Sequence, residues 1–174
     1  MPGVTLGVGQ LSAESELSDV ARRPACEEGR KMHIEQILNT KGFDVITARA
    51  DETVAQAAIR MEANSIGALV IVDGDVAPIG ILSERDIARG INEYGPHLPA
   101  TPISELMSGD VVTCEPKDLI ADIMATMTER RIRHLPVIKN GQLAGLVSIG
   151  DMVKERLNEI ESEASALRSY IASA

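Results

Sequence analysis

Aromatic residues are almost missing from this 174-residue chain: Phe43, Tyr94 and Tyr170 are the whole complement, and tryptophan is absent. Any core must be aliphatic, built from Val, Ile, Leu, Ala and Met, and a surface that stacks bases on rings is excluded. Positive charge is also scarce. The 17 Lys and Arg stand against 26 Asp and Glu, a formal charge of −9 and a pI near 4.8. That balance argues against nucleic-acid binding, which depends on Lys and Arg displacing counterions. The two cysteines, Cys26 and Cys114, are too few for a disulfide framework and lack the spacing of a zinc site. They read as thiols in a reducing compartment. No apolar run approaches the ~18 residues that cross a bilayer. The N-terminal stretch has no secretory apolar region, and Glu14, Glu16, Asp19, Glu27 and Glu28 disfavour a transit peptide. A soluble, cytoplasmic protein is expected.

What is present is a repeat. Residues 1–31 are rich in Gly, Ser, Ala and charge without periodicity, and read as a disordered tail. Patterning begins at Met32, an alternative start to Met1. From there "VITARADETVAQAAIRMEANSIGALVIV" (Val45 to Val72) lies over "VVTCEPKDLIADIMATMTERRIRHLPVI" (Val111 to Ile138) without a gap. Val45/Val111, Thr47/Thr113, Ala55/Ala121, Met61/Met127, Ile66/Ile132 and Leu69/Leu135 are identical pairs. "GILSERD" (Gly80 to Asp86) then returns as "GLVSIGD" (Gly145 to Asp151). The expected division is tail 1–31, first repeat 32–95, Pro-rich linker 96–102, second repeat 103–158 and a C-terminal helical extension 159–174.

Each copy predicts strand, helix, strand, strand, helix. Val45–Thr47 and Val111–Thr113 read as short strands. Asp51 and Asp118 are expected to cap helices with apolar residues at Val54, Ala58 and Met61, or Ile120, Met124 and Met127. "IGALVIV" and "IRHLPVI" read as buried strands, "VDGD" and "KNGQ" as hairpin turns, and "PIGIL" and "LAGLV" as third strands. One such β-α-β-β-α unit leaves a sheet face half covered. The fold class is therefore α+β, with the two units packed about a pseudo-twofold axis.

The Gly-h-h-Ser-x-x-Asp spacing admits two readings. Ser-x-x-Asp at a helix start is a capping box, with Gly easing the turn. The same parts also make a nucleotide site: amide hydrogens and the helix dipole attract phosphate, and serine adds a donor. The aspartate can take both ribose hydroxyls, and glycine lets a ligand approach the backbone. The apolar strand, this motif and the tandem spacing together resemble the cystathionine β-synthase (CBS) domain pair, over roughly residues 33 to 172.

The resemblance implies two clefts between the repeats that take an adenosine-containing regulatory ligand such as AMP, ATP, NAD(H) or S-adenosylmethionine, and no catalytic cofactor. It implies that Asp86 and Asp151 hold ribose hydroxyls and that Ser83 and Ser148 lie near phosphates. Thr47 and Thr113 would line the clefts, with Ile66, Gly67 and Ala68, matched by Ile132, Arg133 and His134, beside the adenine. It also implies a homodimer.

A chain of such negative charge needs locally positive sites to hold a polyanion. Arg130, Arg131, Arg133 and His134 form the densest basic cluster, followed by Arg85 and Arg89. The run "ERRIRH" reads either as a solvated helix end or as a phosphate contact, for which Arg133 is the first candidate; His134 reads as structural. Gly67-Ala68 against Arg133-His134 predicts clefts of unequal affinity. Val153, Leu157, Ile160, Ala164, Leu167 and Ile171 alternate four and three apart, a seam that either pairs across a dimer or packs back on its own domain. No Walker loop, metal-spaced cysteine cluster or H-E-x-x-H is present. The expectation is a non-enzymatic regulatory module with an unidentified protein partner. A protein-interaction scaffold without ligand is the alternative.

Overall fold

Both copies fold along their hydrophobic pattern, and the computed structural model describes them over residues 31–74 and 78–172. The predicted disordered tail, apart from Lys31, and the choice of start codon lie outside the described residues. The elements are α1 (Ile34–Lys41), β1 (Thr47–Ala48), α2 (Val54–Asn64), β2 (Ala68–Val72), β3 (Pro78–Ser83) and α3 (Glu84–Tyr94). Two 3₁₀ turns follow, Gly95–Ala100 and Ile103–Glu105. The second copy supplies α4 (Ile120–Arg130), β4 (His134–Lys139), β5 (Gln142–Ser148) and the long α5 (Ile149–Ala172).

In the first copy β1 pairs parallel with β2, and β2 pairs antiparallel with β3. In the second, β4 and β5 form a hairpin from His134↔Ser148 to Lys139↔Gln142. Its turn holds Asn140 at φ +52° and Gly141 at φ +79°, the paired left-handed conformations that match the strand twist.

Two expectations move. The strand predicted at Val111–Thr113 shrinks to a single parallel bridge, Cys114↔Val137. Cys114 N–H donates to Pro136 O at 3.1 Å, and Ile138 N–H donates to Cys114 O at 2.8 Å. The next rung would need the N–H that Pro136 lacks. The first copy has Val70 there, and β1 forms at Thr47–Ala48, slightly beyond the predicted Val45–Thr47. The predicted caps also shift. Thr53 caps α2, its hydroxyl accepting from Gln56 N–H at 3.3 Å, and Leu119 precedes α4. Asp118 instead accepts from Glu115 N–H at 2.7 Å, and Asp51 pairs with Arg49.

The packing crosses between copies. Ile34, Ile37 and Leu38 of α1, which opens the first repeat, are buried with Ile120, Met127, Leu135, Val137, Val147 and Met152 of the second. Ile103, which leads into the second repeat, is buried with Ala48, Ala57, Met61, Leu69, Ile71 and Leu82 of the first, and Leu106 and Met107 pack on it. Backbone pairs repeat the exchange. Ile34 N–H donates to Asp118 O at 3.0 Å, and Ile103 N–H donates to Glu52 O at 2.9 Å.

This exchange explains the motif glycines. A Cβ on Gly145 would lie 2.6 Å from Leu38 Cδ2, and one on Gly80 would overlap Met107 Sδ. The sequence reading of these glycines as room for a ligand is therefore corrected: the room is filled by Leu38 and Met107. Cys114 is buried, and burial pushes its thiol up to about 12. Among the described residues, no helix is long and apolar enough to cross a membrane.

Candidate functional site

Each third strand ends in the serine that opens a helix. Ser83 lies between β3 and α3, and Ser148 between β5 and α5. Asp86 Oδ2 accepts from Ser83 N–H at 2.9 Å and from its hydroxyl at 2.6 Å. Asp151 Oδ2 accepts from Ser148 N–H and hydroxyl, both at 2.8 Å. The opening amides are fixed from outside as well: Glu84 N–H donates to Gly67 O, and Ile149 N–H to Arg133 O, each at 3.0 Å. Both capping boxes thus form. Each box uses only Oδ2, and Asp86 Oδ1 keeps no protein partner among the described residues.

A cleft of about 480 Å³ opens beside the first of these boxes, between the repeats. Of the predicted site residues it gathers Gly67, Ser83, Arg85, Asp86, Arg133 and His134. It adds Arg89, Arg130 and Arg131, so that five guanidiniums face the carboxylates of Glu84, Asp86 and Asp110. Among the described residues none of these arginines forms an ion pair. Arg131 holds the left-handed backbone at φ +57° that ends α4, a conformation that costs a residue bearing a Cβ about 1 kcal/mol. An adjoining hollow of about 500 Å³ shares Arg85, Arg131 and Arg133.

Six predicted residues line neither hollow. Ser148 and Asp151 form the second helix mouth, and Ile66 packs against the first core. Ala68 is buried where β2 begins. Thr47 turns its carbonyl to Arg60, which donates at 2.7 Å, and Thr113 is exposed. Sequence reasoning missed Asp110, although its neighbour Val112 lies inside the aligned repeat. It also missed Lys41, whose Nζ lies 2.7 Å from Asp151 Oδ2 and for which no local pattern gives a signal.

Burial raises the Asp151 carboxyl, but hydrogen bonds from Lys41 and Ser148 outweigh it and hold the group below its ordinary 3.8. Burial also holds the His134 imidazole below 6.5. Lys41 pushes it the same way, Asp151 and Glu84 pull against this, and Arg133 adds a smaller push downward. His134 is therefore neutral at pH 7 in the fold and free to gain a proton when unfolded. Stability tied to it should be present above about pH 6.5 and fall as pH drops through the window below. Melting curves between about pH 7 and pH 5.5 should show the decline, and His134→Gln should flatten it. An unchanged slope in that variant would assign the effect elsewhere. Among the described residues, no cluster of His, Cys, Asp and Glu could hold a metal ion.

This architecture, two exchanged β-α-β-β-α units with a cleft between them, defines a class. A family model for the CBS domain matches residues 34–93 and 103–158. Over 146 residues the chain is 34% identical to the CBS domain-containing protein CBSX3, mitochondrial, of Arabidopsis thaliana, covering 79% of this chain and 71% of that one. A crystal structure of a CBS-domain containing protein from Agrobacterium tumefaciens matches with TM-score 0.70 at 38% identity, over 72% of this chain and 99% of its own. The CBS domain pair of protein MJ0100, solved in complex with 5-methylthioadenosine and S-adenosyl-L-methionine, shares the fold with TM-score 0.63 at 23% identity, over 71% and 98%. The chain belongs to the CBS domain family and carries two such domains in tandem.

Proposed function

We propose that this chain is a regulatory module without chemistry of its own that takes an adenosine phosphate, such as AMP, ATP or NAD(H), into the cleft beside Asp86. One observation carries the proposal: five arginines that form no ion pair among the described residues line the cleft at the Ser83–Asp86 helix start, in a chain of net charge −9. All five are exposed, yet gathering like charges around one cleft is still unfavourable, and a phosphate relieves it. The cleft volume of about 480 Å³ falls within the range of small-molecule sites. Asp86 would hold the ribose diol, Ser83 and Arg133 the phosphate end, and Gly67 and His134 the base. The MJ0100 domain pair carries 5-methylthioadenosine and S-adenosyl-L-methionine, which supports an adenosine moiety. The arginines favour a phosphorylated ligand over a sulfonium cation.

Calorimetry with AMP, ADP, ATP, NADH and S-adenosylmethionine tests this. The phosphates are expected to bind at sub-millimolar concentration, with S-adenosylmethionine at least ~10-fold weaker. The gap should narrow at high salt. Binding by none of them would favour the scaffold, a reading supported by the capping role that both aspartates already fill.

Binding would be reported by a change in the angle between repeats or between protomers, read by a protein partner. The protomer contact belongs to α5, where Val153, Leu157, Ile160, Leu167 and Ile171 are 44–73% exposed along one seam. We place the second copy of a homodimer there. Truncation after Asn158 should convert the dimer to monomer in light scattering, and an unchanged dimer would count against the seam. The acidic composition supports a cytoplasmic location.

A further inference from the structure

The two helix mouths differ in what reaches their aspartates, and the difference traces to one pair of positions. Leu38 and Met107 correspond, because each fills the space above a motif glycine. Three residues beyond each stand Lys41 and Asp110. Lys41, the last residue of α1, donates from Nζ to Asp151 Oδ2 at 2.7 Å and to Leu146 O at 3.1 Å. At the other mouth Asp110 lines the cleft with Asp86, and one carboxylate cannot neutralise another. Ile81, the counterpart of Leu146, is instead bonded to the Ser108 backbone, donating at 3.1 Å and accepting at 2.9 Å. One aspartate is thus held in an ion pair by an ammonium, and the other forms no ion pair among the described residues. Asp151 lines neither of the two hollows described.

We infer that Lys41 is a built-in competitor for the second aspartate, so that the chain binds one adenosine phosphate, at Asp86, and keeps the Asp151 mouth as a latent second site. The inference rests on the nucleotide reading above. A ribose diol approaching Asp151 must displace the ammonium from both the carboxylate and the Leu146 carbonyl; at Asp86 it displaces nothing of that kind. Because α1 packs on the second repeat through Ile34, Ile37 and Leu38, any motion that lifts α1 withdraws Lys41 and uncovers Asp151.

Calorimetry with ADP on the full chain gives the test. Wild type is expected to bind one ADP per chain. Lys41→Met keeps the aliphatic stem and loses the ammonium; it should bind two, with second-site affinity raised at least ~10-fold. Asp151→Asn added to that variant should return it to one. Asp110→Lys should close the first cleft, lowering ADP affinity at least ~10-fold. Lys41→Gln repeats the measurement should Lys41→Met fold poorly. Two equal sites in wild type, or one site in both Lys41 variants, would overturn the inference and leave the Asp86 cleft standing. No binding by any protein would instead sink the nucleotide reading on which the inference rests.

Discussion

Leu38→Ala should lower the stability of the protein by about 2–5 kcal/mol, the loss typical of a fully buried leucine. Leu38 is 0% exposed and seated over Gly145 in the core of the second repeat, although in sequence it belongs to the start of the first. The melting temperature should fall by roughly 5–15 °C, and hydrogen exchange should show lost protection in β4 and β5 before β2 and β3. Gly145→Ala alone should cost about 1–3 kcal/mol, because its methyl would overlap Leu38. In the Leu38→Ala background the same methyl enters the vacated space and should restore part of the loss. Ile91→Ala, at a position 59% exposed, should stay within about 0.5 kcal/mol of wild type. Additive effects of the Leu38 and Gly145 changes, or loss of protection confined to the first repeat, would contradict the exchanged packing.

Asp86→Ala is expected to weaken ADP binding ~100-fold, since two charge-assisted hydrogen bonds to the ribose are removed together. The same change deprives Ser83 of its capping partner and should cost about 1 kcal/mol of stability. The two effects are separable by measuring binding well below the melting temperature. Arg133→Ala should weaken binding less, about 10-fold, because four other guanidiniums still face the cleft. Wild-type affinity in Asp86→Ala would reduce the acid to a helix cap.

Much of the fold was legible because it is local. The repeat, the hairpin turn at Asn140-Gly141 and the serine-aspartate helix starts all depend on residues close in sequence. Part of the site was legible for the same reason, since Ser83, Arg85 and Asp86 share one turn of chain. Arg133 and His134 joined them on charge and on the match between copies. The reduced strand at Cys114 was also written in the sequence, as Pro136, but its consequence depended on which rung that residue occupied. The cap assignments at Asp51 and Asp118 failed because several polar residues near a helix start compete for the same amide. Only the final backbone path decides which wins.

The sequence alone determined that two like units exist, where each helix mouth lies, and that basic residues gather beside one of them. It did so through spacing and charge, which need no distant partner to be read. The tertiary structure decided that the lead-in segments exchange between units, that the motif glycines receive Leu38 and Met107, and that Lys41 meets an aspartate 110 residues away. Those outcomes depend on which apolar face finds room against which sheet, and close packing settles that only when the whole chain is folded.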